Sequence, residues 1–257
     1  MSLSFTFTDG QELSYNTGTT RDSYTRIWPD ILISMSRFEK LFGNSWMSDT
    51  QLNLKYNSKT TMVKGVSYSD SLMYGGDYKL KILKKYDLLF SADITTSKEI
   101  DKEKNKLIQE GSITNWAIQT ATNIKQWRFS LRYDSIQTWT KNSEGNLATQ
   151  TFSNALKAQA KTDLVFPTGI RLPLIGNIPL KNRLVFDSSA FYNTQSSVVN
   201  VEADNYQNFG LKFSADYEIS KNFRGTVGTN LSRYLYTYVP EQNYSVIELI
   251  SKITIQF

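Results

Sequence analysis

The sequence contains no cysteine and no histidine. Without thiols there are no disulfides and no thiolate nucleophiles. Without imidazole the Ser-His arrangement of hydrolases and nearly all transition-metal sites are out of reach. No enzyme activity, metal or cofactor is therefore expected. One acid–base arrangement stays open, a carboxylate pair from Asp216 and Glu248 facing a common lumen, although acidic pairs among other charges are usually structural. No apolar run reaches the roughly 18 residues of a membrane-crossing helix. The opening MSLSFTF lacks the basic and apolar regions and the cleavage site of a signal peptide. It reads as the start of a mature chain or of a C-terminal piece. Charge of one sign is not gathered anywhere: 29 Lys and Arg against 24 Asp and Glu give a net +5. These charges are spread along the chain, so no nucleic-acid partner is expected.

Aromatics, by contrast, are plentiful at 13%, with fifteen Tyr and fourteen Phe, and their placement follows a period of two. The last fifteen residues show it best. Ile247, Leu249, Ser251, Ile253, Ile255 and Phe257 share one parity, and Tyr244, Val246, Glu248, Ile250, Lys252, Thr254 and Gln256 the other. Alternation of this kind is a strand, because a helix would scatter the polar residues around its axis.

The same pattern recurs along the chain. Leu3, Phe5 and Phe7 alternate with Ser4, Thr6 and Thr8, followed by Asp9-Gly10 as a bulge or turn and a polar stretch to about Arg26. Ile31, Ile33 and Met35 form a weaker strand, and 38–46 connects it onward to Leu52, Leu54 and Tyr56. A Gly- and Ser-containing loop is expected over 65–76, then Tyr78, Leu80 and Ile82, a tight turn at Lys84-Lys85, and Tyr86 to Ile94. The charged stretch 97–110 reads as a loop. Strands around Trp116 and Ile118, and over Trp127, Phe129, Leu131 and Tyr133, meet at a turn near 122–125. Further strands carry Leu156 to Leu164, Leu184 to Tyr192, Phe209 to Tyr217, and Phe223 to Tyr238. All five prolines (Pro29, Pro167, Pro173, Pro179 and Pro240) fall in expected connections, as ladder bonding favours.

The expectation is one all-β domain over 1–257, an antiparallel transmembrane β-barrel of about twelve meandering strands or a segment of a larger barrel. A soluble β-sandwich adhesin or binding protein shows the same alternation. Three features favour the membrane. Several segments hold their pattern for nine or more residues, against roughly five or six in soluble strands. With the C-terminus on the periplasmic side, the connections near 84, 122 and 220 are short, whereas 64–76, 97–110, 140–146 and 194–205 fall outside and are longer; 38–48 and 165–180, long on the inner side, and 239–243, short on the outer, are exceptions. Aromatics at strand ends (Tyr86, Trp127, Trp139, Tyr234, Tyr236, Tyr238 and Phe257) fit interfacial girdles.

A terminal strand ending on Phe257 resembles the closing strand of bacterial outer-membrane barrels, and implies that Phe257 is an insertion signal read by the barrel-assembly machinery. Residues 28–42, WPDILISMSRFEKLF, and 213–223, FSADYEISKNF, resemble segments of the SprA/Sov-type outer-membrane translocons of type 9 secretion and gliding motility. That resemblance implies a pore wall for protein export in the outer membrane of a Gram-negative bacterium. Outer-membrane lipids, further barrel strands, a plug and accessory secretion proteins would be its partners. A small self-contained porin-like barrel is the alternative.

Under the barrel reading the polar parity lines the lumen: Arg128, Arg132, Asp134, Lys157, Lys161, Asp163, Lys212, Asp216, Glu218, Arg224, Glu248 and Lys252. The apolar parity, with Phe209, Leu211, Phe213, Ile247, Leu249, Ile253 and Ile255, faces lipid. The proline-rich connection over 167–179 carries Leu172, Leu174, Ile175 and Ile178, an apolar periplasmic loop that could dock a partner or plug.

Overall fold

The structure is a computed structural model that describes the chain except residues 1, 17–18, 42–45, 64–66, 102, 166–169, 173–175, 179–181, 200–204, 221 and 256–257. Alternation becomes strand nearly everywhere. In chain order the strands are β1 (Ser2–Asn16), β2 (Thr19–Ser36), β3 (Met47–Val63), β4 (Ser67–Ile82), β5 (Tyr86–Asp101), β6 (Lys106–Ile124) and β7 (Trp127–Asn142). They continue with β8 (Leu147–Val165), β9 (Ile170–Leu172), β10 (Gly176–Ile178), β11 (Arg183–Ser197), β12 (Tyr206–Ser220), β13 (Phe223–Tyr236) and β14 (Tyr244–Ile255). Twelve of them form one antiparallel meander in which each strand pairs with its sequence neighbours and β8 passes directly to β11. The intervening β9 and β10 pair only with each other. The expected all-β class and strand count are met.

This sheet is one layer thick. A compact 29.5 kDa chain exposes about 11,500 Å², whereas this one exposes 17,521 Å². Among the described residues the buried hydrophobic side chains are Leu80, Ala117 and Ala121. No second sheet covers either face, so the packed core of a sandwich is absent from the described residues. Cohesion comes from ladder hydrogen bonds and cross-strand side-chain pairs.

Pairing register places the two parities on opposite faces. One row runs Leu88, Thr120, Leu131, Ala158, Ala190, Leu211, Leu231, Ile247. The row next to it on that face runs Tyr86, Thr122, Phe129, Ala160, Ser188, Phe213, Thr229, Leu249. The apolar parity spans nine positions of β5, from Tyr86 to Ile94, and nine of β14, from Ile247 to Ile255. Since Leu249 is level with Tyr86 and Ile247 with Leu88, both borders of this belt drop six residues over the seven steps from β5 to β14. At about 3.4 Å per residue and 4.8 Å per strand that is a strand tilt of about 30°. Nine tilted residues then span about 25 Å, the height of the apolar band on membrane barrels.

Four expectations are corrected. The polar stretch 9–26 is strand, with β1 and β2 paired from Ser2↔Ser34 to Asn16↔Thr19. The loop expected over 65–76 is mostly β4. Gly75 and Gly76 sit inside it because their ladder neighbours come too close for a side chain: a Cβ on Gly75 would lie 2.5 Å from the Ala92 carbonyl oxygen, and one on Gly76 2.4 Å from that of Asn53. The charged stretch 97–110 is mostly the end of β5 and the start of β6. Its charges are matched across strands, Lys98 to Glu110 at 3.7 Å and Lys141 to Glu110 at 3.9 Å, and Asp101 accepts the Glu103 and Lys104 amides at the turn. Pro29 lies inside β2, where Trp28 and Pro29 (joined by a cis peptide) interrupt the register between Ile27 and Asp30. An irregularity is where a residue without N–H fits. Pro240 opens a short 3-10 turn, while Pro167, Pro173 and Pro179 lie outside the described residues.

The short turns are as expected. Leu83 and Lys84 take φ 50° and 57°, Lys85 N–H donates to Ile82 C=O at 3.0 Å, and Gly145 takes φ 81°. Two successive positive φ values match the twist of the flanking strands, as in a type I′ turn.

Gly210 is the position least tolerant of a side chain. A Cβ there would stand 2.2 Å from the Leu231 carbonyl oxygen and 2.7 Å from the Phe191 ring. Gly210→Ala is expected to cost about 1–3 kcal/mol through overpacking, read as a lower urea midpoint for the lipid- or detergent-embedded chain. An unchanged midpoint would contradict this packing.

Candidate functional site: the polar face

Every residue expected to line a lumen lies on one face. Rows on that face run Lys161, Arg128 and Asn123, and Lys157, Arg132 and Gln119, and Lys212 continues through Asn230 to Glu248. Asp216 stands level with Asp163 through Val185, and with Lys252 through Thr226. Glu218 and Arg224 are directly opposed. Phe209, Leu211, Phe213, Ile247, Leu249, Ile253 and Ile255 occupy the other face, exposed to 73, 85 and 66% at Ile247, Leu249 and Ile253.

Several polar-face charges are held by neighbours. Arg132 grips Asp134 two residues along β7, with Nε 2.8 Å and Nη2 2.6 Å from the carboxylate, and its Nη1 donates to Gln119 Oε1 at 3.4 Å. Arg183 pairs with Asp163, Gln159 donates to Asp187 at 2.7 Å, and Asn230 donates to Glu248 at 2.8 Å. Arg128, Lys157 and Lys161 have no ion-pair partner among the described residues. With Arg132 they make a four-cation patch across β7 and β8, balanced in part by Asp134.

Asp216 and Glu248 are not brought together. Asp216 accepts the Thr226 hydroxyl and stands level with Lys252, while Glu248 is bound to Asn230 four residues away along β14. No acid–base pair forms from them. Leu172 and Ile178 fall in β9 and β10; Leu174, Ile175 and Phe257 lie outside the described residues.

The aromatic girdle is correct in part. Tyr86, Trp127 and Trp139 stand on the apolar face, Trp127 beside Phe129 at 6.2 Å and Phe186 at 6.3 Å. Lys85 lies over Tyr86 and Lys141 over Trp139, both at 5.3 Å, a cation–aromatic pairing at each border of the belt. Tyr234 and Tyr236, however, are on the polar face, opposite Asn208 and Tyr206. Their parity matches that of Glu248 through the pairings, which puts them on the polar face although they stand at a strand end.

Sequence reasoning also missed the lock at the start of β3. Thr50 is 1% exposed and exchanges two hydrogen bonds with Glu39 in the 3-10 turn Phe38–Leu41: its Oγ1 accepts the Glu39 amide at 3.2 Å and donates to the Glu39 carboxylate. Arg37 N–H donates to the Thr50 carbonyl at 2.8 Å.

No protein-family model and no curated protein matches the chain. Among solved structures it is similar to the β domain of the Bordetella autotransporter BrkA, at 9% identity, covering 99% of this chain and 98% of that one with a TM-score of 0.38. It is also similar to the translocator domain of the autotransporter NalP from Neisseria meningitidis, at 12% identity, covering 99% and 87% with a TM-score of 0.31. Likeness at this level carries no statement about activity.

The Glu39–Thr50 exchange predicts a pH dependence. The Thr50 hydroxyl, donating to the Glu39 carboxylate, holds that group below its ordinary pKa. A depressed folded pKa stabilises above the unfolded value, and the contribution is lost as pH falls through the folded one. Thr50→Val should lower the urea midpoint at pH 7, with the gap to the parent closing at acid pH. A gap constant from pH 7 to pH 3 would contradict the assignment.

Proposed function

We propose that this chain is the membrane wall of an outer-membrane pore, with its apolar belt in lipid and its charged face lining an aqueous path. The observation that carries the reading is the single-layer sheet with a continuous apolar belt about 25 Å high on one face. Such a surface needs a nonaqueous solvent, and a polar face with mixed charge needs water. A soluble sandwich would bury the apolar face under a second sheet. Mixed signs make a hydrated wall and not a single-sign selectivity ring. The β7–β8 patch gives the path a local anion preference.

The pore serves protein translocation, in the manner of the SprA/Sov-type translocons, with added strands completing the wall. Two features support this finer reading. Residues 28–42 and 213–223 carry the resemblance, the second falling on the β12–β13 hairpin. The outer edges of β1 and β14 also have no ladder partner among the described residues. In lipid an unpaired edge is not tolerated, so both edges need strands. A self-closed barrel is the competing reading, favoured by the even strand number, which leaves β1 and β14 antiparallel. Following the rows through the irregularity in β3, closure at a stagger of about 12 or 14 residues would set Thr6 against Lys252 or Thr254.

The natural absence of cysteine makes the test clean. Thr6→Cys is combined in turn with Lys252→Cys and Thr254→Cys in the membrane-embedded chain, and the reconstituted protein is recorded in planar bilayers. Added strands predict no intramolecular disulfide in either pair and no discrete channels from the chain alone. An intramolecular bond with stable channels would establish self-closure and overturn the translocon reading. In that event Arg128→Glu with Arg132→Glu should move the reversal potential toward cation selectivity. An unchanged potential would remove the polar face from the path.

A further inference from the structure

At the end of the sheet remote from the Leu83–Lys85 turn, four tyrosines gather on the polar face of the last three strands. Tyr206 and Tyr236 are directly opposed, as are Tyr234 and Tyr244. Ring centroids are 4.6 Å apart for Tyr234 and Tyr244, 5.8 Å for Tyr206 and Tyr236, 6.2 Å for Tyr206 and Tyr234, and 6.5 Å for Tyr236 and Tyr244. Tyr244 stands on the outermost strand and is 46% exposed. Around them the face is amide-rich: Tyr206 Oη donates to Gln195 at 3.3 Å, and Asn193, Asn208 and Asn230 follow on the adjoining rows. Asn208 and Asn230 each keep a buried carbonyl oxygen that no described donor reaches, while the Asn230 amide N–H is already given to Glu248. Among the described residues of β11 to β14, formal charge on this face begins at Lys212 and Glu248, with Glu241 in the turn beyond, and Lys157 on β8 stands level with Gly210 through Phe191.

We propose that this cluster is a binding platform for a neutral oligosaccharide chain. Phenol rings offer flat apolar faces for the C–H side of a pyranose, and the surrounding amides and hydroxyls match its hydroxyl groups. An anionic ligand or a nucleic acid would require cations, and no Lys or Arg stands among the described residues of this patch. A purely apolar ligand would leave the amides unpaired. That the platform faces water rests on the pore reading, but binding of sugar to the solubilised chain requires no pore, so the two can fail separately.

The test uses the full chain in a polyoxyethylene detergent, which carries neither sugar nor ammonium. Titrations use maltohexaose, isomaltohexaose and cellohexaose, with hexagalacturonate and tetraethylammonium as charged comparators. Saturable binding of at least one neutral hexasaccharide is expected, with weaker binding of both comparators. Tyr234→Ala and Tyr244→Ala should each weaken it about tenfold, whereas Tyr244→Phe, which keeps the ring, should stay within about threefold. If the alanine variants fail to fold, Tyr234→Leu and Tyr244→Leu, which keep bulk without a ring, carry the same expectation. No saturable binding of any neutral hexasaccharide, binding indifferent to these substitutions, or tighter binding of tetraethylammonium would each overturn the proposal.

Discussion

Backbone hydrogen bonding is the constraint on which everything else in this chain depends. Where no core exists, a strand is held by its two neighbours alone, and every interior N–H and C=O must find its partner in the ladder. Long strands, tight turns and neighbour-to-neighbour pairing from β1 to β14, shifted in register at a few points, satisfy that demand without a second layer. Two of the departures fall at Trp28-Pro29 in β2, where proline has no N–H to place, and at Asp49, at φ 54°, next to the Thr50 lock. Glycine enters the strands where neighbouring carbonyls leave no space, at Gly75, Gly76 and Gly210.

Once the ladder fixes the backbone, the period of two divides the side chains between an apolar and a polar face. On the apolar face the surface is uneven: small residues Ala158, Ala160, Ser188 and Ala190 floor a groove of about 510 Å³ between Phe129 and Leu131 on one side and Leu211 and Phe213 on the other. In the proposed membrane setting a groove of that kind would accept fluid acyl chains without needing a shaped partner. On the polar face, charge is handled locally, by pairs such as Arg132–Asp134 and by amides such as Gln159 and Asn230. Exposed pairs of this sort add little stability; their effect is to set where net positive charge remains, on β7 and β8.

Much of this was legible in the sequence because the strand period and the two faces are the same fact. Parity alone placed Arg128, Lys161, Lys212 and Glu248 together, and Leu211 with Ile247, before any pairing was known. Strand ends were less legible. Charged and glycine-containing stretches look like loops, yet Lys98, Glu110 and Lys141 neutralise one another across strands, and Gly75 and Gly76 fit a crowded ladder. The Glu39–Thr50 exchange was hidden because it joins residues from a turn and a strand with no pattern linking them. The tyrosines share the parity of the polar face, but their convergence from three strands into one patch follows only from the pairings of Tyr206, Tyr234 and Tyr244.

The central claim is that the two faces of one sheet meet two different solvents. Single cysteines at 128 through 133 on β7, in the chain reconstituted into lipid vesicles, test it most directly when probed with a charged, membrane-impermeant maleimide. The account predicts fast labelling at Arg128, Ser130 and Arg132 and protection at Phe129, Leu131 and Tyr133. Equal labelling at both parities, or labelling of all six by protein that stays in solution without lipid or detergent, would contradict it.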